Sequence, residues 1–97
     1  MIKFGLLLTL EAKPGKEKEV EDFLKSALPL AQAEPGTLTW YALKLNSNTF
    51  GIFDTFESEE GRQAHLNGPI AKALMEKASE LLSKDPVIEQ IDILASK

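Results

Sequence analysis

The stretch FGIFDTFESEEGRQAHLNGP, Phe50 to Pro69, decides how this chain is read. Phe50, Ile52, Asp54 and Phe56 share one face of an alternating run, with Gly51, Phe53 and Thr55 on the other, so the run is a strand. Ser58 is a good helix N-cap, and Glu59 and Glu60 suit the positive end of a helix dipole. Gly61 weakens that helix, which should be short. Asn67-Gly68 interrupts it, and Pro69 suits the first turn of the next. The tract carries His65, the one histidine in the chain and the side chain that titrates near neutral pH without help.

Upstream, Thr37 to Asn46 alternates and is rich in Thr, Trp and Tyr. With a short turn at Ser47-Asn48, it should form a hairpin with the strand Thr49 to Glu57. Glu34-Pro35-Gly36 reads as a stop before it. Lys16 to Ala33 has helical spacing, with Val20, Phe23, Leu24, Ala27, Leu30 and Ala31 as its apolar stripe. Pro29 lies inside that pattern and should kink the helix or end its first part near Leu28. Lys3 to Ala12 reads as the first strand, apolar on both faces and so covered on both; Lys13-Pro14-Gly15 breaks it.

Downstream, Pro69 to Lys84 is the best helix, burying Ile70, Ala73, Leu74, Ala78, Leu81 and Leu82. Val87 to Ala95 closes as the fourth strand. The order β-α-β-β-α-β is an α+β, ferredoxin-like arrangement: a four-stranded antiparallel sheet with its helices on one face. The other face would expose a large apolar patch. Two sheets packed face to face would bury it, which predicts a sheet-to-sheet dimeric α/β barrel, a homodimer with C2 symmetry.

Ninety-seven residues predict one domain spanning 1–97. Net charge is −4 and the pI is near 5.0, so nucleic acid and anionic membrane surfaces are poor partners. The chain has no cysteine, which excludes disulfides, thiolate metal sites and cysteine nucleophiles. The apolar run Phe4 to Leu10 is short, has no small-residue cleavage site and runs into Glu11, so it reads as a strand rather than a leader. No run approaches the ~20 apolar residues of a membrane-spanning helix, and the expected location is cytoplasmic. With one histidine, no zinc constellation is recognisable, and there is no phosphate loop, dinucleotide fingerprint or nucleophile motif.

Four motifs occur in order: Lys13-Pro14-Gly15, Glu34-Pro35-Gly36-Thr37, Phe53-Asp54-Thr55-Phe56-Glu57-Ser58, and Ala64-His65-Leu66-Asn67-Gly68-Pro69. Together the chain resembles the antibiotic biosynthesis monooxygenase family, a dimeric α/β-barrel group that includes quinol monooxygenases and some haem-degrading enzymes. Family members often carry Glu and Trp where this chain has Asp54 and Phe56. Some quinol-oxidising relatives have a further histidine where Ile70 stands. Haem-degrading members use an Asn, a Trp and a haem-ligating His; the matching region here offers Leu6 or Leu7, His65 and Met75, which argues against haem degradation. The resemblance implies an oxygenase that needs no metal or prosthetic group, acting on a small phenolic or quinol-like aromatic that reacts with oxygen once deprotonated.

On that resemblance His65 is the catalytic candidate, as general base for a hydroxyl or as hydrogen-bond donor to a developing oxyanion. The alternative is a partly buried histidine bonded to backbone at a helix end. Trp40 and Tyr41 lie on opposite faces of their strand, as do Phe53 and Phe56 of theirs; in each case the choice between pocket wall and core packing stays open. Asp54 could orient His65 or bind substrate, or make a structural hydrogen bond or salt bridge. Arg62 could steer an anionic substrate or be a solvated surface arginine. Asn67 could bind ligand or cap the next helix. Ile70 and Leu74 are expected in the pocket wall. The competing functional class is a non-catalytic dimeric small-molecule-binding or stress-response module; a third is a cofactor-free isomerase or decarboxylase.

Overall fold

The computed structural model describes residues 2–97. In chain order they are β1 (Phe4–Glu11), α1 (Glu17–Ser26), α2 (Leu28–Gln32), β2 (Thr37–Lys44), β3 (Thr49–Phe56), α3 (Glu59–Leu66), α4 (Pro69–Leu81) and β4 (Val87–Asp92). The strands form one antiparallel sheet in the order β2-β3-β1-β4. This is the ferredoxin-like α+β arrangement that the element order predicts. The helix expected over Lys16 to Ala33 is divided at Ala27, which caps α1 at its end and α2 at its start. Pro29 falls in the first turn of α2, where its missing N–H costs nothing. Strand β4 ends at Asp92 rather than Ala95, after its last rung to β1, Asp92 opposite Phe4.

Alternation sorts the side chains. Leu6 and Leu10 of β1 and Phe50, Ile52 and Phe56 of β3 point to the helix side and are buried. Leu10, Phe50 and Ile52 pack in one core cluster with Val20 and Leu24 of α1, Leu74 and Leu81 of α4, and Leu82 just after it, while Ile70 packs in a second with Ala27 and Ala31. Each such side chain contributes on the order of 1.5–3 kcal/mol through burial. Leu30 departs from the expected stripe: it is exposed, while Ala27 and Ala31 of the same stripe are buried.

The register settles which aromatic faces which way. Trp40 stands opposite Asp54, and Tyr41 opposite Phe53. Trp40 therefore lies on the helix side and packs against both core clusters. Tyr41 and Phe53 lie on the open face and stack, with centroids 6.4 Å apart and planes within 11°. The open face also carries Leu7, Leu43 and Ile91, all half-buried, and Val87, exposed.

Candidate functional site

His65 sits in the last turn of α3, and three separate segments converge on it. Ser58 starts the helix as expected, its Oγ accepting from the Gly61 N–H at 3.1 Å. Gly61 is where the turn before β2 meets the helix. A Cβ on Gly61 would lie 3.0 Å from the Gly36 carbonyl oxygen, and one on Gly36 would lie 3.0 Å from the Gly61 Cα. Two glycines thus let backbone pass against backbone. The close approach seats Glu34, two residues before Gly36, beside His65, one turn after Gly61.

The imidazole lies between two carboxylates. Nδ1 is 2.6 Å from Glu34 Oε1, and Nε2 is 2.8 Å from Asp54 Oδ2. The first is a well-formed hydrogen bond. The second is an ion-pair contact outside the angular range of one. Glu34 Oε1 also accepts from the Thr37 hydroxyl at 2.8 Å, which fixes that carboxylate. His65 is 8% exposed and Asp54 1%, so the group is nearly dry. Burial works to lower the histidine pKa. The contacts and charges of Asp54 and Glu34 outweigh it and raise the pKa from 6.5 to about 9. At neutral pH His65 is therefore an imidazolium with both nitrogens engaged.

The alternative of a histidine bonded to backbone is corrected by this geometry: its partners are carboxylates. Glu34 is the site residue that sequence reading missed, taken there as part of a stop and of the Glu34-Pro35-Gly36-Thr37 motif but given no role in the site. Nothing in its spacing signals His65, 31 positions away. The one local hint is an acid with a hydroxyl three residues on, at Thr37.

Asp54 and His65 form the polar end of a cleft otherwise walled by Leu6, Leu8, Ile52, Ile70, Leu74 and Met75, with room of about 130 Å³. Four of the expected site residues meet here: His65, Asp54, Ile70 and Leu74. Phe56 is fully buried one layer back, its ring 5.5 Å from the imidazole. The others lie elsewhere. Trp40 borders a separate groove between α2 and β2, and Tyr41 and Phe53 occupy the open face of the sheet.

Arg62 is neither a steering group nor a solvated one: it is 6% exposed. Its Nη1 donates to the carbonyls of Gly5 at 3.3 Å and Ile91 at 3.2 Å, its Nη2 pairs with Glu59, and its guanidinium lies over the Phe4 ring. It fastens α3 to β1 and β4. Asn67 ends α3 rather than starting α4, its amide donating to the Gln63 carbonyl at 3.0 Å, while Gly68 takes the N-cap of α4. Gly68 there has no Cβ to crowd the Ala64 and His65 carbonyls.

Among the described residues no group of three or more His, Cys, Asp and Glu side chains is arranged to hold a metal ion. No helix among them is long and apolar enough to cross a membrane.

Comparison with known proteins follows the same lines. Residues 4–77 match the family model described as antibiotic biosynthesis monooxygenase. Among solved structures, a protein of unknown function from Nitrosomonas europaea is 59% identical, with a TM-score of 0.98, over 100% of this chain and 94% of that one. A Pseudomonas aeruginosa protein superimposes with a TM-score of 0.83 at 22% identity, covering 98% of this chain and 97% of that one. One from Mycobacterium tuberculosis gives 0.85 at 14% identity, covering 97% of each. The latter two share the fold. A search of curated proteins gave no match.

Proposed function

Because the chain belongs to the antibiotic biosynthesis monooxygenase family, we propose that it is a cofactor-independent monooxygenase acting on a small phenolic or quinol-like aromatic. The observation that carries this reading is an apolar cleft ending in a buried Asp54–His65–Glu34 group. In such a reaction the substrate supplies the electrons: a quinol and dioxygen give the hydroxylated quinone and water. The protein's part is to hold the ring in a dry site and to stabilise the oxyanion that reacts. An imidazolium in a low-dielectric cleft suits the second task, since fixed charge there acts far more strongly than in water. His65 is then an electrostatic stabiliser in the resting enzyme rather than a ready base, because both nitrogens are already engaged.

We further propose that two copies pack sheet to sheet in a cytoplasmic homodimer. The open face, with Leu7, Leu43, Phe53 and Ile91, supports this: left in water it would be a broad apolar patch. A net charge of −4 makes nucleic acid and anionic membranes poor partners.

One observation favours a second reading. A histidine held at both nitrogens by carboxylates also serves a purely structural role, which suits a non-catalytic dimeric small-molecule-binding or stress-response module. Oxygen consumption by purified protein against quinols, naphthols and anthrone-like phenols separates the two. Uptake that falls at least ~100-fold in His65→Ala, the order expected for losing a fixed charge beside the reacting group in a dry site, supports the monooxygenase. Binding without uptake across the panel supports the module.

A further inference from the structure

We infer that Glu34 is the positioning residue of this site: it keeps one proton on Nδ1 of His65, so that the proton His65 gives up or takes back is the one on Nε2. This deepens the functional reading above and rests on its placement of the chemistry at His65.

Glu34 is held from several directions. Its backbone N–H donates to the Ala31 carbonyl at 3.1 Å, and its carbonyl accepts from the Thr37 N–H at 3.3 Å. Oε1 accepts from the Thr37 hydroxyl at 2.8 Å and lies 2.6 Å from Nδ1. Oε2 is enclosed beside Gly68, where a Cβ would come within 3.3 Å of it. The carboxylate therefore has little freedom to turn away. Were Nδ1 to lose its proton, a nitrogen lone pair would face a carboxylate oxygen at 2.6 Å, a repulsion that a nearly dry site does not screen.

Asp54 is placed differently. It is the more deeply buried, yet neither of its oxygens has a hydrogen bond, and its 2.8 Å contact with Nε2 is misaligned. An N–H aimed away from its acceptor gains less, so the Nε2 proton is the cheaper one to lose. The ring nitrogen that keeps its proton is set by the hydrogen bond it makes. Burial lowers the His65 pKa, and Asp54 and then Glu34 raise it. The two carboxylates thus divide the work: Asp54 does more to keep the ring charged, and Glu34 fixes which proton stays.

The cleft gives this division a direction. Asp54 and His65 line it and Glu34 does not. The Nδ1 edge of the ring is turned to a group behind the wall, and the Nε2 edge to one within it. A proton released from Nε2 leaves Nδ1–H on Glu34 and a lone pair on the Asp54 side; a returning proton restores the imidazolium there.

¹⁵N NMR of protein labelled at its one histidine tests this, because protonated and bare ring nitrogens resonate far apart. Spectra are taken more than one pH unit above the pKa of about 9. The wild type should favour Nδ1–H over Nε2–H by at least ~10-fold, as a hydrogen bond to a charged acceptor implies. In Glu34→Gln the proton should move to Nε2, because the amide can donate to a bare Nδ1 while Asp54 still attracts a proton on Nε2. In Asp54→Asn the Nδ1–H form should persist. A wild type in the Nε2–H form, or an even mixture, overturns the inference. So does a Glu34→Gln protein that keeps Nδ1–H, or an Asp54→Asn protein that loses it. The wild-type spectrum puts the inference at risk even if both variants fail to fold. An Nδ1–H wild type that takes up no oxygen refutes the monooxygenase reading alone; uptake by a wild type in the Nε2–H form refutes only the role of Glu34.

Discussion

Raising the pH from 7 to 9 should deprotonate about half of His65 and remove a measurable part of the fold's stability. The pKa is raised from 6.5 to about 9 in the folded chain. A group whose folded value is raised stabilises fully below its unfolded value and loses that contribution as pH climbs through the folded one. Here the window runs from pH 6.5 to about 9. Below it the contribution is about 3 kcal/mol, and between pH 7 and 9 the protein should lose about 2 kcal/mol of it. Other described groups with displaced values titrate outside this window: Lys18 is raised from 10.5, and Glu21 and Glu59 are lowered from 4.5.

Urea unfolding followed at intervals from pH 6 to 9.5 measures the loss. Proton NMR measures the cause directly, since one histidine gives one Cε1–H resonance to titrate. The two must agree. A resonance midpoint between pH 6 and 7, or a stability profile flat from 7 to 9, would refute the idea that the two carboxylates govern His65. His65→Gln should flatten the slope while preserving the fold.

Arg62→Met should destabilise the protein by about 1–3 kcal/mol, because the buried Gly5 carbonyl and the half-buried Ile91 carbonyl lose their charged donor. It should also speed hydrogen exchange at the Ile93 amide, which bonds the Lys3 carbonyl beside that anchor; unchanged exchange there would show that Arg62 does not pin β4. Gly51→Ala places a Cβ 2.8 Å from the Leu8 carbonyl oxygen, so β1 and β3 must part. A loss of about 1–3 kcal/mol is expected in urea, against the gain that alanine usually brings to a strand. Phe53→Glu puts a charge in the middle of the open sheet face and should turn a dimer into a monomer by light scattering. A monomeric wild type at micromolar concentration would remove the sheet-to-sheet interface.

Local chemistry was enough to read much of this molecule. Period-two alternation located β2 and β3, and a short apolar run ended by Lys13-Pro14-Gly15 located β1, each to within a few residues of its observed bounds. Pro29 could not sit in a continuous helix, and Ser58 was the natural place to start one. The element order left the ferredoxin-like sheet as its simplest arrangement. What the chain did not display along its length was which residues meet. Trp40 and Tyr41 were bound to face opposite ways, but only the pairing with Asp54 and Phe53 decided which was inward. Arg62 reads as a surface residue until the end of α3 is laid over the carbonyls of β1 and β4. Glu34 looks like part of a turn until the Gly36–Gly61 contact seats it on His65. Alternation, capping and turn formation act over a few residues and leave their mark in sequence. The charge on His65 depends on two carboxylates brought from distant segments into a dry space, and burial and pairing of that kind exist only once the tertiary fold has closed.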